Sequence, residues 1–123
     1  MTAREYIAEV QAAIGQAVHV LLFDVRFDEI DVDECYIKGV LMLRGGYQLY
    51  IAEYVITGPK FERSKYRYHL QRVDGEFIVR WDNAPHHRHV SSFPHHRHEA
   101  DGSLHVSEAM DVAMVLRAAV DYI

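Results

Sequence analysis

The chain has a single cysteine, no apolar run near the length of a membrane helix and no glycine-rich phosphate loop, and each absence excludes a class. With Cys35 alone among 123 residues, neither an internal disulfide nor a cysteine-based zinc site can form, so histidine must supply any metal ligands. No apolar stretch approaches the roughly 18 residues that a membrane-crossing helix needs. The start, Met1-Thr2-Ala3-Arg4-Glu5, lacks the charged-then-apolar order of a secretion signal, so the expectation is a cytoplasmic protein without a membrane anchor. In the absence of a Gly-rich phosphate loop and of a Gly-Ser motif with metal-binding carboxylates, nucleotide-modifying chemistry is the weakest of the enzymatic readings.

What is present is ordinary globular material. Half of the residues are apolar and a quarter charged, which excludes disordered and fibrous classes, and 123 residues suit one domain spanning 1–123. The net charge of −5 hides a segregation. Residues 1–34 sum to −6, residues 35–97 to +5 and residues 98–123 to −4. A basic middle suits an anionic partner such as RNA, and a solvated sheet face would give the same tally. Nine residues are His, and six of them (His86, His87, His89, His95, His96, His98) fall in that basic middle or at its edge.

The spacing predicts a helix over about 3–14, opened by the capping box Thr2-Ala3-Arg4-Glu5. Val18–Phe27 alternates as a strand, with Leu21, Phe23, Val25 and Phe27 on one side. Two hairpins follow: Cys35–Leu43 with Tyr47–Thr57 across Gly45-Gly46, then Phe61–Val73 with Glu76–Trp81 across Asp74-Gly75. Gly39 inside the second strand signals a bulge or a close approach. From Asp82 no periodicity returns until Ser107, leaving an expected ordered loop of about 25 residues that Trp81 and Phe93 would anchor. The run from Ser107 to Ile123 reads as a helix apolar on most sides, which is either a core helix or a homodimer contact. The fold class is α+β: an N-terminal helix, an antiparallel meander of about five strands, a structured His-rich loop and a C-terminal helix packed on the sheet.

Inside the loop, Pro85-His86-His87-Arg88-His89 and Pro94-His95-His96-Arg97-His98 repeat the same pentapeptide. Each His-x-His places two imidazoles on one side of an extended chain, a geometry that admits a divalent transition metal such as zinc, with His95, His96 and His98 as ligands. Against it, the central Arg of each triplet adds charge. The other chemical reading requires no cofactor: imidazoles exchange protons near neutral pH while arginines hold an anion. On the fourth strand Lys65, Arg67, His69 and Gln71 share one face while Tyr66, Tyr68 and Leu70 take the other. Arg80 and Asp82 share a parity on the fifth. Glu53 interrupts the apolar series Tyr47, Leu49, Ile51, Val55. Buried, it needs an Arg or His from a neighbouring strand; a bulge would instead leave it exposed.

The strings Glu53-Tyr54, Tyr66-x-Tyr68-His69-x-Gln71, Arg80-Trp81-Asp82-Asn83-Ala84-Pro85-His86-His87 and Phe93-Pro94-His95-His96-x-His98 resemble the TumE family, small toxins of bacterial and archaeal toxin-antitoxin pairs. The resemblance implies a toxin neutralised by a cognate antitoxin protein, and by analogy one that cleaves RNA. In that reading His69, His86, His87, His95 and His96 are acid-base candidates and Asp82 or Glu53 orient them. Arg80 and Arg97, with Arg67 and Tyr68, bind substrate. The alternative is a non-enzymatic metal- or protein-binding module with a structural His-rich loop. Convergence of His69, His86 and His95 with Arg80 in one pocket would favour chemistry.

Overall fold

Thr2 opens the first helix as its sequence signal predicts. Its hydroxyl accepts from the Glu5 amide at 3.1 Å and the Glu5 carboxylate accepts from the Thr2 amide at 3.0 Å, which occupies two donors that a helix start leaves unpaired. The computed structural model describes residues 1–123, and α1 runs Ala3–Gln16 with Tyr6, Val10 and Ile14 buried in one stripe. Seven strands follow: β1 Val20–Asp31, β2 Glu34–Leu43, β3 Tyr47–Ile56, β4 Glu62–Arg72, β5 Phe77–Asp82, β6 His96–Glu99 and β7 Leu104–Val106. They pair antiparallel in chain order, each strand beside the next. A short helix, α2 Val112–Ala119, comes last.

The alternation seen in sequence divides this sheet into two unlike faces. Leu49, Ile51 and Val55 of β3, Tyr68 and Leu70 of β4, and Val79 and Trp81 of β5 are buried on one face, together with the inner sides of α1 and α2. Burial of each such side chain stabilises by about 1.5–3 kcal/mol. The opposite face carries no helix and presents Tyr36, Ala52, Lys65, Arg67, Arg80 and Asp82. This open face is where the sequence places its polar residues.

The structure adds two strands to the five expected. β6 and β7 lie inside the segment read as a loop, because His-Arg-His-Glu has no apolar residue to alternate and Leu-His-Val alternates over only three residues, too few to announce a strand. In β6 the two faces differ in the kind of polar residue rather than in polarity. The C-terminal helix is shorter than expected. Asp111 caps it, accepting from the Met114 amide at 2.8 Å, and Ser107–Asp111 stays non-helical while Met110 packs into the core. The apolar residues of α2 are largely spent inside: Val112, Val115, Leu116 and Ala119 are buried and Met114 and Ala118 pack against the core. A run of exposed apolar residues, Leu21, Leu22 and Phe23, lies instead on the edge strand β1, beside a register shift between Val20 and Leu22.

Candidate functional site

Strand register assembles the site before any loop is considered. Two rows cross the open face: Ala52, Arg67, Asp82 and His96 in one, and Tyr50, His69, Arg80 and His98 in the next. Asp82 ends β5, and residues 83–95 turn back over this end of the face before β6 begins. Asn83 fastens the turn to β4, its Oδ1 accepting from the Tyr66 amide at 2.9 Å and its Nδ2 donating to the Ser64 carbonyl at 3.0 Å. Those bonds continue the β4–β5 edge one residue past the Arg67–Asp82 pair, beside the irregularity at Ser64 in the β3–β4 register. Ser92 fixes the far end, donating to the His95 carbonyl at 2.5 Å and accepting from the Ser107 amide at 3.1 Å.

Three imidazoles meet under this turn. His96 and His98 project from the same side of β6, and His87 comes from the turn with φ 59°, a left-handed conformation that costs a non-glycine residue about 1–2 kcal/mol. Ring centroids are 5.2 Å apart for His87 and His96, 5.5 Å for His87 and His98, and 4.9 Å for His96 and His98. One ring nitrogen from each lies within 4.8 Å of the others. Asp82 completes the group: its Oδ1 is 2.8 Å from His96 Nε2 and its Oδ2 3.5 Å from His98 Nε2. The other nitrogen of His96, Nδ1, is 2.8 Å from the Pro94 carbonyl oxygen. His96 and Asp82 are buried, while His87 faces solvent.

The cluster forms one wall of a cleft of about 840 Å³ on the open face, within the size range of ligand sites. Lys65, Arg67 and Arg80 line it, as do Tyr36 and Tyr54. Arg80 Nε is 3.3 Å from Asp82 Oδ2; Lys65 and Arg67 make no ion pair and remain available. Burial and, after it, the Arg80 charge lower the pKa of His98, with Asp82 opposing. Neutral rings are what a metal or a proton acceptor requires.

The remaining expected site residues are dispersed. His69 shares the open face, but its Nε2 is 3.1 Å from Gln71 Oε1, its ring packs on Phe77 at 5.2 Å, and Arg80 separates it from His98 in their row. His86 stands exposed on the cleft lip, 6.4 Å from the His87 ring. His95 turns away, with Nδ1 2.8 Å from the Tyr66 hydroxyl and its ring stacked on Tyr66. The expected meeting of His69, His86 and His95 therefore does not occur, and in the set of candidate metal ligands His87 takes the place given to His95. Arg97 lies on the helix side of the sheet, 3.2 Å from Glu99, so it is no phosphate contact in this cleft.

Glu53 and Tyr68 also belong to the helix side. Buried Glu53 accepts from the hydroxyls of Tyr6 and Tyr68 and sits 3.5 Å from Arg63 Nε, the cationic partner that its position demanded. Burial, followed by the charge of Glu53, raises the pKa of both tyrosines. The group locks α1 to β3 and β4, its hydrogen bonds and ion pair directed to Tyr6, Tyr68 and Arg63. Sequence reasoning did not single out Lys65, Tyr36 and Tyr54 as cleft residues; the parity that Lys65 shares with Arg67 was the available signal.

A family model described as Toxin TumE matches residues 10–123. No curated protein and no solved structure matches the chain.

Proposed function

The chain belongs to the TumE toxin family, and from that premise we propose that it acts on RNA, breaking phosphodiester bonds in the open-face cleft. The observation that carries the reading is the convergence of the imidazole–carboxylate group with three cations and two tyrosines on one exposed face. A phosphate needs positive charge, which Lys65, Arg67 and Arg80 offer. Unstacked bases need flat surfaces, which Tyr36 and Tyr54 offer. In attack by the ribose 2′-hydroxyl, a bond forms from O2′ to phosphorus as the bond from phosphorus to O5′ breaks. The proton leaves O2′ at the imidazole–carboxylate wall, and a second proton reaches O5′ from the lip, where His86 stands. The arginines meet the charge that builds on the phosphorus oxygens.

The same reading places the protein in the cytoplasm, with a cognate antitoxin protein as the partner that holds it inactive. The test uses protein freed of any antitoxin and incubated with varied single-stranded RNAs, with and without divalent metal. Wild type is expected to cut RNA, and the K65A/R67A double variant, which removes the two cleft cations that make no ion pair, to bind RNA more weakly and cut it at least tenfold more slowly while melting as wild type does. RNA left whole by the wild type under both conditions would overturn the proposal.

A further inference from the structure

His96 presents a problem that protein groups alone answer incompletely. It is almost wholly buried, and both of its ring nitrogens face acceptors, Nδ1 the Pro94 carbonyl at 2.8 Å and Nε2 the Asp82 carboxylate at 2.8 Å. A neutral imidazole has one N–H. If Nδ1 donates it to Pro94, the lone pair of Nε2 points at an anionic oxygen, and something positive must lie between or beside them. An additional proton would serve that one pair. It would give His98 and His87 no reason to converge on the same point, the latter from a left-handed backbone position.

We propose that His87, His96 and His98, with Asp82 as the fourth donor, bind a divalent transition metal of the zinc class. Three imidazoles and one carboxylate are a donor set such an ion prefers, and donors about 2.0–2.1 Å from a tetrahedral metal sit about 3.4 Å from each other. The ring nitrogens within 4.8 Å of one another, and the Asp82 oxygens 2.8 and 3.5 Å from two of them, already lie near that spacing. The Pro94 carbonyl does what a ligating histidine requires of its surroundings: it fixes the tautomer that leaves Nε2 free to ligate. Arg80 holds Asp82 Oδ2 and leaves Oδ1 turned to His96.

The charge of the two repeat arginines does not oppose the ion. Arg88 lies over the Phe93 ring at 5.3 Å and Arg97 pairs with Glu99 on the helix side of the sheet, so neither points into the cluster. A divalent ion with one carboxylate leaves the site positive, the sign that an anionic ligand in the cleft would meet. The inference concerns the cleft used in the RNA reading but does not depend on it, since binding is measured without substrate; with the ion bound its four donors would be engaged, and the O2′ proton would pass to a water held by the ion instead of to an imidazole.

The test is a titration of full-length protein carrying no polyhistidine tag, stripped with chelator, with Zn2+ followed by calorimetry and Co2+ followed by visible absorption. One equivalent is expected, with the d–d bands of a four- or five-coordinate cobalt site. H87A and H98A should each weaken binding more than tenfold, whereas H89A, which alters an exposed imidazole of the same turn, should leave it unchanged. H87A alters a solvent-facing side chain, so it keeps the test valid where a change at buried His96 unfolds the protein. No stoichiometric uptake, or uptake insensitive to H87A and H98A, would overturn the proposal. Protein that binds zinc but leaves RNA whole refutes the RNA reading alone; protein that cuts RNA without taking up metal refutes this one alone.

Discussion

His69 shares a face and a register row with the cluster and still stands outside it, because Arg80 occupies the position between. Its surroundings have a measurable consequence. Burial, followed by the charges of Arg80 and Arg67, lowers its pKa below 6.5, with the Gln71 hydrogen bond opposing. The folded state therefore resists protonation that the unfolded chain accepts. As pH falls through 6.5 the unfolded state binds the proton first and stability declines, until the folded-state pKa is passed and both states are protonated. Thermal melts should show a shallower loss of stability below pH 6.5 for H69Q than for wild type; superimposable pH dependences would contradict this. Glu53 and Asp82 teach the same lesson about neighbours. Both are buried carboxylates on strands, but the parity of Glu53 turns it toward Tyr6, Tyr68 and Arg63, and that of Asp82 toward His96 and His98. Parity was legible in the sequence; the cation that would answer Glu53 was not, because Arg63 reaches it across a β-bulge.

At the scale of elements, β1 and β2 approach more closely than a side chain at Gly39 would allow. A Cβ there would lie 2.2 Å from the Asp24 carbonyl oxygen and 2.5 Å from Val25 Cα, both backbone atoms that can move only if the strand moves. G39A should cost about 1–3 kcal/mol, lowering the melting midpoint by roughly 5 to 10 °C. G15A is the matched control: nothing lies within 4 Å of that Cβ position, and alanine favours a helix, so its midpoint should hold or rise. Equal melting of G39A and wild type would show that the strand pair yields without cost. The close approach was readable because glycine interrupts an apolar strand, and both hairpins were readable from their paired or Asp-Gly turns. β6 and β7 were not, since the four residues of β6 are all polar and the three of β7 are too few to set a hydrophobic period; β5 and the side chains around Asp82 and Glu99 define their pairing. The same blindness set the helix start too early, because Ser107 and Asp111 both offer caps and only packing of Met110 chooses the second.

Across the whole molecule, the sequence divides charge by segment and the fold converts that into a division by face. The basic middle supplies Lys65, Arg67 and Arg80 to one cleft, while both helices cover the other side of the sheet. The histidine repeat is likewise divided: of its two copies, His87 and His98 join His96 at the cluster, His95 is drawn to Tyr66, and His86 and His89 face solvent. The pattern showed that imidazoles would crowd together, but which of them meet depends on strand parity in β6 and on one left-handed residue in the turn, and a repeat cannot announce either. The central claim is that toxicity arises at this cluster. Its most direct test is growth of cells expressing the chain without antitoxin, wild type against H87A at matched protein levels. The account predicts arrest by the wild type and growth with H87A, a substitution at an exposed residue that leaves the core intact. Arrest by H87A as complete as that by wild type would contradict it.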